Sequence, residues 1–263
     1  MSTVLDLRRM TANHDRYDQM IRRRPAEQRA IADFRERIGT ITSVDAFLKD
    51  DKLYRFVMEA FDLGSQIYAK GLIRRVLTEG VTDKASTANR MNDVKFKELA
   101  TVLGFAESGG ANLKEPKIVQ AIVDRYVSVR LEVESEDTNP AVRLGLYFKR
   151  RAPAITNWYQ VMADPALREV VLTILDLPKQ TALLDVDRQK EIFSRRLDIA
   201  DFRNPDKVRA LLDRFGAMHD ARNGAASDTA AVAPMIGLRR GSRPSIVAID
   251  PSVTLTLLKF PRF

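Results

Sequence analysis

Apolar residues recur at three- and four-residue steps along most of the chain, a period that predicts helices separated by short polar stretches. "PAEQRAIADFRERI", residues 25–38, begins with proline where a first helical turn tolerates it and ends before Gly39. Upstream, Met10 to Arg24 reads as one helix that Pro25 terminates. Residues 51–62 follow Asp50 as N-cap, with Leu53, Phe56, Val57, Ala60 and Phe61 on one stripe and Gly64 as the stop. Ser65 then caps "SQIYAKGLIRRVLTEG", where Ile67, Leu72, Val76 and Leu77 face inward. Shorter helices are predicted over 83–91 and 93–103, and "AESGGANLKEP" (106–116) reads as a flexible loop and a candidate internal boundary. A long helix runs from Lys117 to about Glu134, with Ile118, Ile122, Tyr126, Val129 and Val133 in near-heptad spacing. "ESEDTNP" interrupts it, Asn139-Pro140 restarts the chain in "AVRLGLYFKRRAP", and helices near 186–197 and 205–218 follow.

Inside this pattern lies a repeat. "ITSVDAFLKDDKLYRFVMEAFDLG" (41–64) and "ITNWYQVMADPALREVVLTILDLP" (155–178) align without a gap at an offset of 114. Identities fall at Ile41/Ile155, Thr42/Thr156, Asp50/Asp164, Leu53/Leu167, Val57/Val171, Asp62/Asp176 and Leu63/Leu177. In both copies a short helical turn precedes an acid, the acid starts a helix, and the helix closes with aspartate-leucine and a breaker, Gly64 or Pro178. These are the positions of a scaffold: Asp50 and Asp164 as structural caps, and Leu53, Val57, Leu63, Leu167, Val171 and Leu177 as repeated core. Duplication and convergence on one hairpin both fit seven identities. The predicted fold is all-α, a multi-helix orthogonal or bundle-like domain of short capped helices around one long helix, over residues 1–222. Residues 223–263 read as a linker-like, irregular tail in which only "IVAID" and "VTLTLL" read as β, as a short edge pair or an ordered tail.

Composition narrows the chemistry. No run approaches the roughly 18 apolar residues of a membrane span, and the N-terminus lacks the apolar stretch and cleavage site of a secretory signal. With no cysteine among 263 residues, disulfides, thiolate metal sites and cysteine nucleophiles are all excluded. The net charge of +8 raises nucleic-acid binding through a basic surface as a lesser alternative. Most basic clusters, such as Arg22-Arg23-Arg24, are interleaved with acids, the pattern of a solvated helix face. The two histidines, His14 and His219, each adjoin an aspartate, Asp15 and Asp220, but lie near opposite ends of the helical region and read as surface. Asp185, Asp187, Asp198 and Asp201 have spacing that suits a hard cation, and capping explains them more simply. "GFAESGG" lacks the lysine and the preceding strand of a phosphate loop, and Trp158-Tyr159 reads as a core anchor. No catalytic, cofactor-binding or metal-binding residue is assigned. The expectation is a protein that is not an enzyme and carries no cofactor, the alternative being a small-molecule-binding protein or enzyme with a site in a helical cleft.

The blocks "SVDAFLKDDKLYRFVMEAFDL", "YAKGLIRRVLTEGV", "LYFKRRAPAITNWYQVMADPAL" and "IADFRNPDKVRALLDRF", in this order over residues 30–218, resemble an uncharacterised alphaproteobacterial family catalogued as a domain of unknown function. The resemblance implies an all-helical fold and carries no catalytic residue. Members of that family are commonly encoded in flagellar gene clusters. This implies a flagellum-associated accessory, structural or assembly protein whose partners are proteins, flagellar components among them. Absence of cysteine and of a cleavable signal fits a cytoplasmic assembly factor as well as a protein exported through the flagellar channel.

Overall fold

The computed structural model describes residues 2–231 except Asn92, with side chains to Asn223. The β pair and irregular tail expected after residue 223 lie outside the described residues, save for the helical stretch to Ala231. Fifteen α-helices make up the described chain: α1 (Thr3–Ala12), α2 (His14–Arg22), α3 (Pro25–Ile38), α4 (Val44–Lys49), α5 (Asp51–Ala60), α6 (Lys70–Glu79), α7 (Thr87–Arg90) and α8 (Val94–Leu103), then α9 (Phe105–Ser108), α10 (Pro116–Thr138), α11 (Pro140–Arg151), α12 (Trp158–Ala163), α13 (Pro165–Ile174), α14 (Val186–Ser194) and α15 (Pro205–Ala231). Short 3-10 turns link several of them, and no strand occurs among the described residues. The fold is all-α. Residues Met1–Asn223 form one unit, in which α10 packs against α2, α5 and α11.

Helices α4 and α5 map onto α12 and α13 at both ends at the offset of 114 (44 to 158, 49 to 163, 51 to 165, 60 to 174). So does the way each is held. Ser43 accepts from the Ala46 N–H at 3.1 Å and Asn157 from the Gln160 N–H at 3.0 Å, each starting the shorter helix. Asp50 accepts from the Leu53 N–H at 3.1 Å, while Asp164 accepts from the Ala166 and Leu167 N–H groups at 2.9 and 3.1 Å. The helix stops before the predicted breakers. Asp62 (φ 55) and Asp176 (φ 52) take the left-handed conformation, which aspartate tolerates better than most side-chain-bearing residues. The Leu63 N–H then reaches back to the Met58 carbonyl, and the Leu177 N–H to that of Leu172, both at 2.8 Å. With Asp62 and Asp176 donating to Glu59 and Thr173, both ends are Schellman closures, and the two leucines are buried behind them. Gly64 and Pro178 therefore only continue a reversal that the aspartates have made.

Aromatic residues fill the space beside each copy. Phe56 stacks between Phe34 and Tyr126, with ring centroids 4.4 and 4.0 Å away, and so ties α3, α5 and α10 together. In the second half Trp158 lies 5.6 Å from Phe193 and 5.7 Å from Phe202, which in turn meets Phe148 edge-on at 5.2 Å. Phe34 and Phe148 occupy aligned positions of α3 and α11 (34 + 114 = 148). Where α3 carries Ile31, α11 carries Gly145, and a Cβ there would lie 2.5 Å from the side chain of Leu7. Helix α1 thus supplies the second half with the apolar group that the first half carries on its own helix. Helix α1 is pinned from the other side by α15. A Cβ on Gly216 would fall 2.9 Å from the Val4 backbone nitrogen, and the Thr3 N–H donates to the Asp220 carboxylate at 2.8 Å.

Several boundaries differ from the periodicity. The predicted 10–24 helix is two helices, because the Asn13 side chain donates to the Arg9 carbonyl and competes with the helical ladder. Helix α10 continues through "ESEDT", since Glu134 and Glu136 pair outward with Arg24 and Arg143, and it breaks only at Asn139-Pro140. Val133 is exposed and Glu132 is buried in its stead, held by both Nε and Nη2 of Arg150 at 2.5 and 2.9 Å. The stretch 106–116 is no flexible loop. Left-handed Gly104, Gly109 and Gly110 fold it into α9 and a 3-10 turn that buries Phe105 and Leu113. Residues 83–91 are helical only in α7, 65–80 only from Lys70 after a 3-10 turn, and the last helix reaches Ala231 rather than 218.

Two expectations follow from this packing. Leu53→Ala and Leu167→Ala each remove a fully buried side chain and should cost about 2–5 kcal/mol, against about 0.5–2 kcal/mol for Asp50→Ala or Asp164→Ala. Chemical denaturation of the four variants checks both the values and the ranking. Gly216→Ala should destabilise through its clash with the α1 backbone, although alanine is favoured over glycine by roughly 1 kcal/mol inside a free helix. A higher thermal midpoint for this variant would show that α1 and α15 do not meet there.

Candidate functional site

Two features stand apart from the repeated scaffold. The first is a pair of turns. Tyr68 is 93% exposed between the 3-10 turn Gly64–Gln66 and α6, and Leu183 is 85% exposed at the end of the turn Lys179–Leu183 before α14. Each turn follows one Schellman closure, and the two residues are displaced by one position from strict alignment (68 + 114 = 182). Leu184 and Val186 extend the second apolar patch. Tyr159, half exposed, donates its hydroxyl to Asp187 at 2.9 Å, with the Lys190 ammonium 5.1 Å from its ring centre.

The second feature is an ionic cleft of about 500 Å³ lined by side chains from α8, α10, α11 and the α12–α13 pair. At its centre Glu98 accepts from two guanidinium groups, Arg125 on one carboxylate oxygen and Arg151 on the other. Burial pushes the Glu98 carboxyl up, but the two guanidinium groups outweigh it and hold it below the usual range. Burial pulls the Arg125 guanidinium down, and its contact with Glu98 offsets this only in part. The face of Arg125 lies 4.3 Å from the Phe61 ring centre. The Nε atoms of both Arg125 and Arg151 are buried without a hydrogen-bond partner.

Alignment of the copies sets this cluster beside its counterpart. Arg37 and Arg151 are equivalent (37 + 114 = 151), as are Asp33 and Tyr147 (33 + 114 = 147). In the first copy Arg37 donates to two acids, Asp33 at 2.8 Å and the cap Asp50 at 3.2 Å. In the second copy tyrosine replaces the first acid, and its hydroxyl donates to the cap Asp164. Burial first, and then the Asp164 charge, pushes the Tyr147 phenol up, so it stays protonated as that donor. Arg151 reaches Glu98 instead. Nearby pairs tie the frame: Asp62 meets Lys95 at 2.7 Å and Arg143 at 3.4 Å, and Glu27 accepts from Tyr126 at 2.6 Å with Arg130 at 3.2 Å.

Of the residues singled out in the sequence, Asp164 and Leu167 line this cleft, and Leu53 lines a separate groove between α3 and α5. Asp50 sits beside that groove as the partner of Arg37, while Val57, Leu63, Val171 and Leu177 are buried. The histidines share no partner. His14 lies 3.3 Å from Asp18, whereas His219 contacts Thr3 and Asn223. Asp185 and Asp198 accept from the N–H groups of Asp187 and Ala200 at 2.9 Å, and among the described residues no three His, Asp or Glu are grouped to hold a metal ion. Trp158 is buried and Tyr159 is not. Glu98, Arg125, Tyr68 and Leu183 drew no notice in the sequence, for each sits in an ordinary mixed run; Arg151 belonged to the basic cluster Lys149-Arg150-Arg151. Among the described residues no helix is long and apolar enough to cross a membrane.

The family model described as "Protein of unknown function (DUF1217)" matches residues 60–208. The chain is also similar to the crystal structure of protein AGR_C_984 from Agrobacterium tumefaciens, with a TM-score of 0.78 and 34% identity over 85% of this chain and 97% of that one. No curated protein matches. A match over more than half of the sequence, joined to a solved relative that shares the fold nearly end to end, makes the chain a member of the DUF1217 family of proteins of unknown function.

Proposed function

We propose that this protein is a non-enzymatic accessory or assembly factor that works through helix-borne contacts with other proteins, and that the flagellum is the assembly it serves. It acts in the cytoplasm or after export without a cleavable signal. The flagellar part rests on the family resemblance of its sequence blocks. The contact part rests on one observation, the pair of large apolar side chains, Tyr68 and Leu183, held in water on corresponding turns. Burying such a side chain is worth about 1.5–3 kcal/mol, a gain that each forgoes in the isolated chain. The turns are anchored at one end by a Schellman closure with a buried leucine, so the exposed groups stand on a stiff base. A partner that covers both would gain affinity without having to order them first.

Deleting the gene in its host should reduce swimming in soft agar and leave filaments that are short, sparse or absent by electron microscopy. A Tyr68→Ser, Leu183→Ser double variant should melt within a few degrees of the parent, since exposed substitutions usually shift stability by under about 0.5 kcal/mol, yet fail to restore motility. Full complementation by the double variant would remove the contact role, and normal motility of the deletion strain would remove the flagellar one.

A further inference from the structure

We propose that the cleft between α8, α10 and α12 is a binding site for a small ligand bearing an oxyanion, a carboxylate or a phosphate, held by Arg125 and Arg151. The charges that line it do not balance. Lys97, Arg125 and Arg151 face Glu98 and Asp164, and Asp164 is already occupied by two backbone N–H groups and the Tyr147 hydroxyl. Within the cleft lining Glu98 is thus left to be shared by two guanidinium groups. In the first copy the ratio is reversed, with two acids around Arg37. Tyr147 stands where the first copy has Asp33, so the second copy has one acid fewer while its helix cap is intact.

Geometry agrees with the charge. A guanidinium carries five N–H donors in a planar fork suited to two oxygens of one anion. Here each gives a hydrogen bond to a single oxygen of Glu98, and each retains a buried, unpartnered Nε. Those bonds use Nη2 of Arg125 and Nη1 of Arg151, so the other terminal nitrogen of each, without a partner among the described residues, remains to donate to an incoming oxyanion. The space of about 500 Å³ suits a small molecule, and Met91, Val94 and Leu167 provide apolar wall for a short hydrocarbon body. Glu98 stands where a ligand carboxylate would, keeping the two arginines converged when the site holds no ligand.

The test uses the full chain, with sodium phosphate and sodium succinate as separate probes against sodium chloride at matched ionic strength. Thermal midpoint and titration calorimetry are the readouts. At least one anion should give a saturable rise in midpoint and a measurable heat; phosphate alone points to a phosphorylated ligand, succinate alone to a carboxylate. Arg151→Lys keeps the charge and loses the fork, so binding should weaken roughly 10-fold or more. Lys179→Gln, an exposed lysine outside the cleft, should leave binding unchanged. Glu98→Gln frees both guanidinium groups: the variant should melt lower in chloride, bind the anion more tightly than the parent, and recover its midpoint when the anion is added. Circular dichroism confirms that each variant is helical. The proposal fails if neither anion exceeds chloride in the parent and in Glu98→Gln, or if Arg151→Lys binds as well as the parent.

Discussion

A helix that ends inside a protein leaves carbonyls that need partners, and its last residue decides where the chain goes next. In both halves of this molecule that decision is made by an aspartate in the left-handed conformation, Asp62 or Asp176. Glycine would adopt it with less strain, but glycine has no carboxylate. Asp62 uses its carboxylate to hold Lys95 at the start of α8 and Arg143 on α11, and Asp176 uses its own to hold Arg222 at 2.8 Å. Behind each, a buried leucine closes the turn. The reversal thus joins a local backbone state to a distant ion pair and to the core, and it sets the exit of the turns that carry Tyr68 and Leu183.

On this common frame the two copies differ in charge rather than in helix limits. The helix ends, the caps and the closures fall at one sequence offset, and arginine stands at both 37 and 151. What differs is the company of that arginine. In the first copy two acids from its own unit surround it; in the second it crosses to Glu98 on α8 and meets Arg125 there. A buried or half-buried cation held by half a carboxylate is a poor stabilising device, because desolvation offsets much of the attraction. The cleft therefore reads more naturally as a place prepared for another anion than as a rivet of the fold. Gly145 tells a similar story in apolar terms, with Leu7 of α1 filling the space that Ile31 fills from within the first copy.

The helical class and most helix starts were legible in the sequence, because a start depends on residues within one turn of it. Proline at 25 and 140 is such a signal, and so is an acid two or three places before a run of apolar residues. The helix ends were less legible. Gly64 and Pro178 are conspicuous, yet the reversal happens at an aspartate, and nothing in composition marks an aspartate as left-handed. "ESEDT" looks like an interruption because Arg130 is the one base within a helical turn before its acids; in the fold Arg24 and Arg143 join it. The cleft was illegible for the same reason. Glu98 is 27 residues from Arg125 and 53 from Arg151, and each lies in a run where charges of both signs are common.

The two left-handed aspartates make buried closures and not frayed helix ends. Amide hydrogen exchange at Leu63 and Leu177, whose N–H groups bond to the Met58 and Leu172 carbonyls, tests this most directly. If the closures are as described, both amides exchange only with the core amides of α5 and α13, by global opening. Exchange of either at the rate of an exposed turn, while those core amides stay protected, would contradict it.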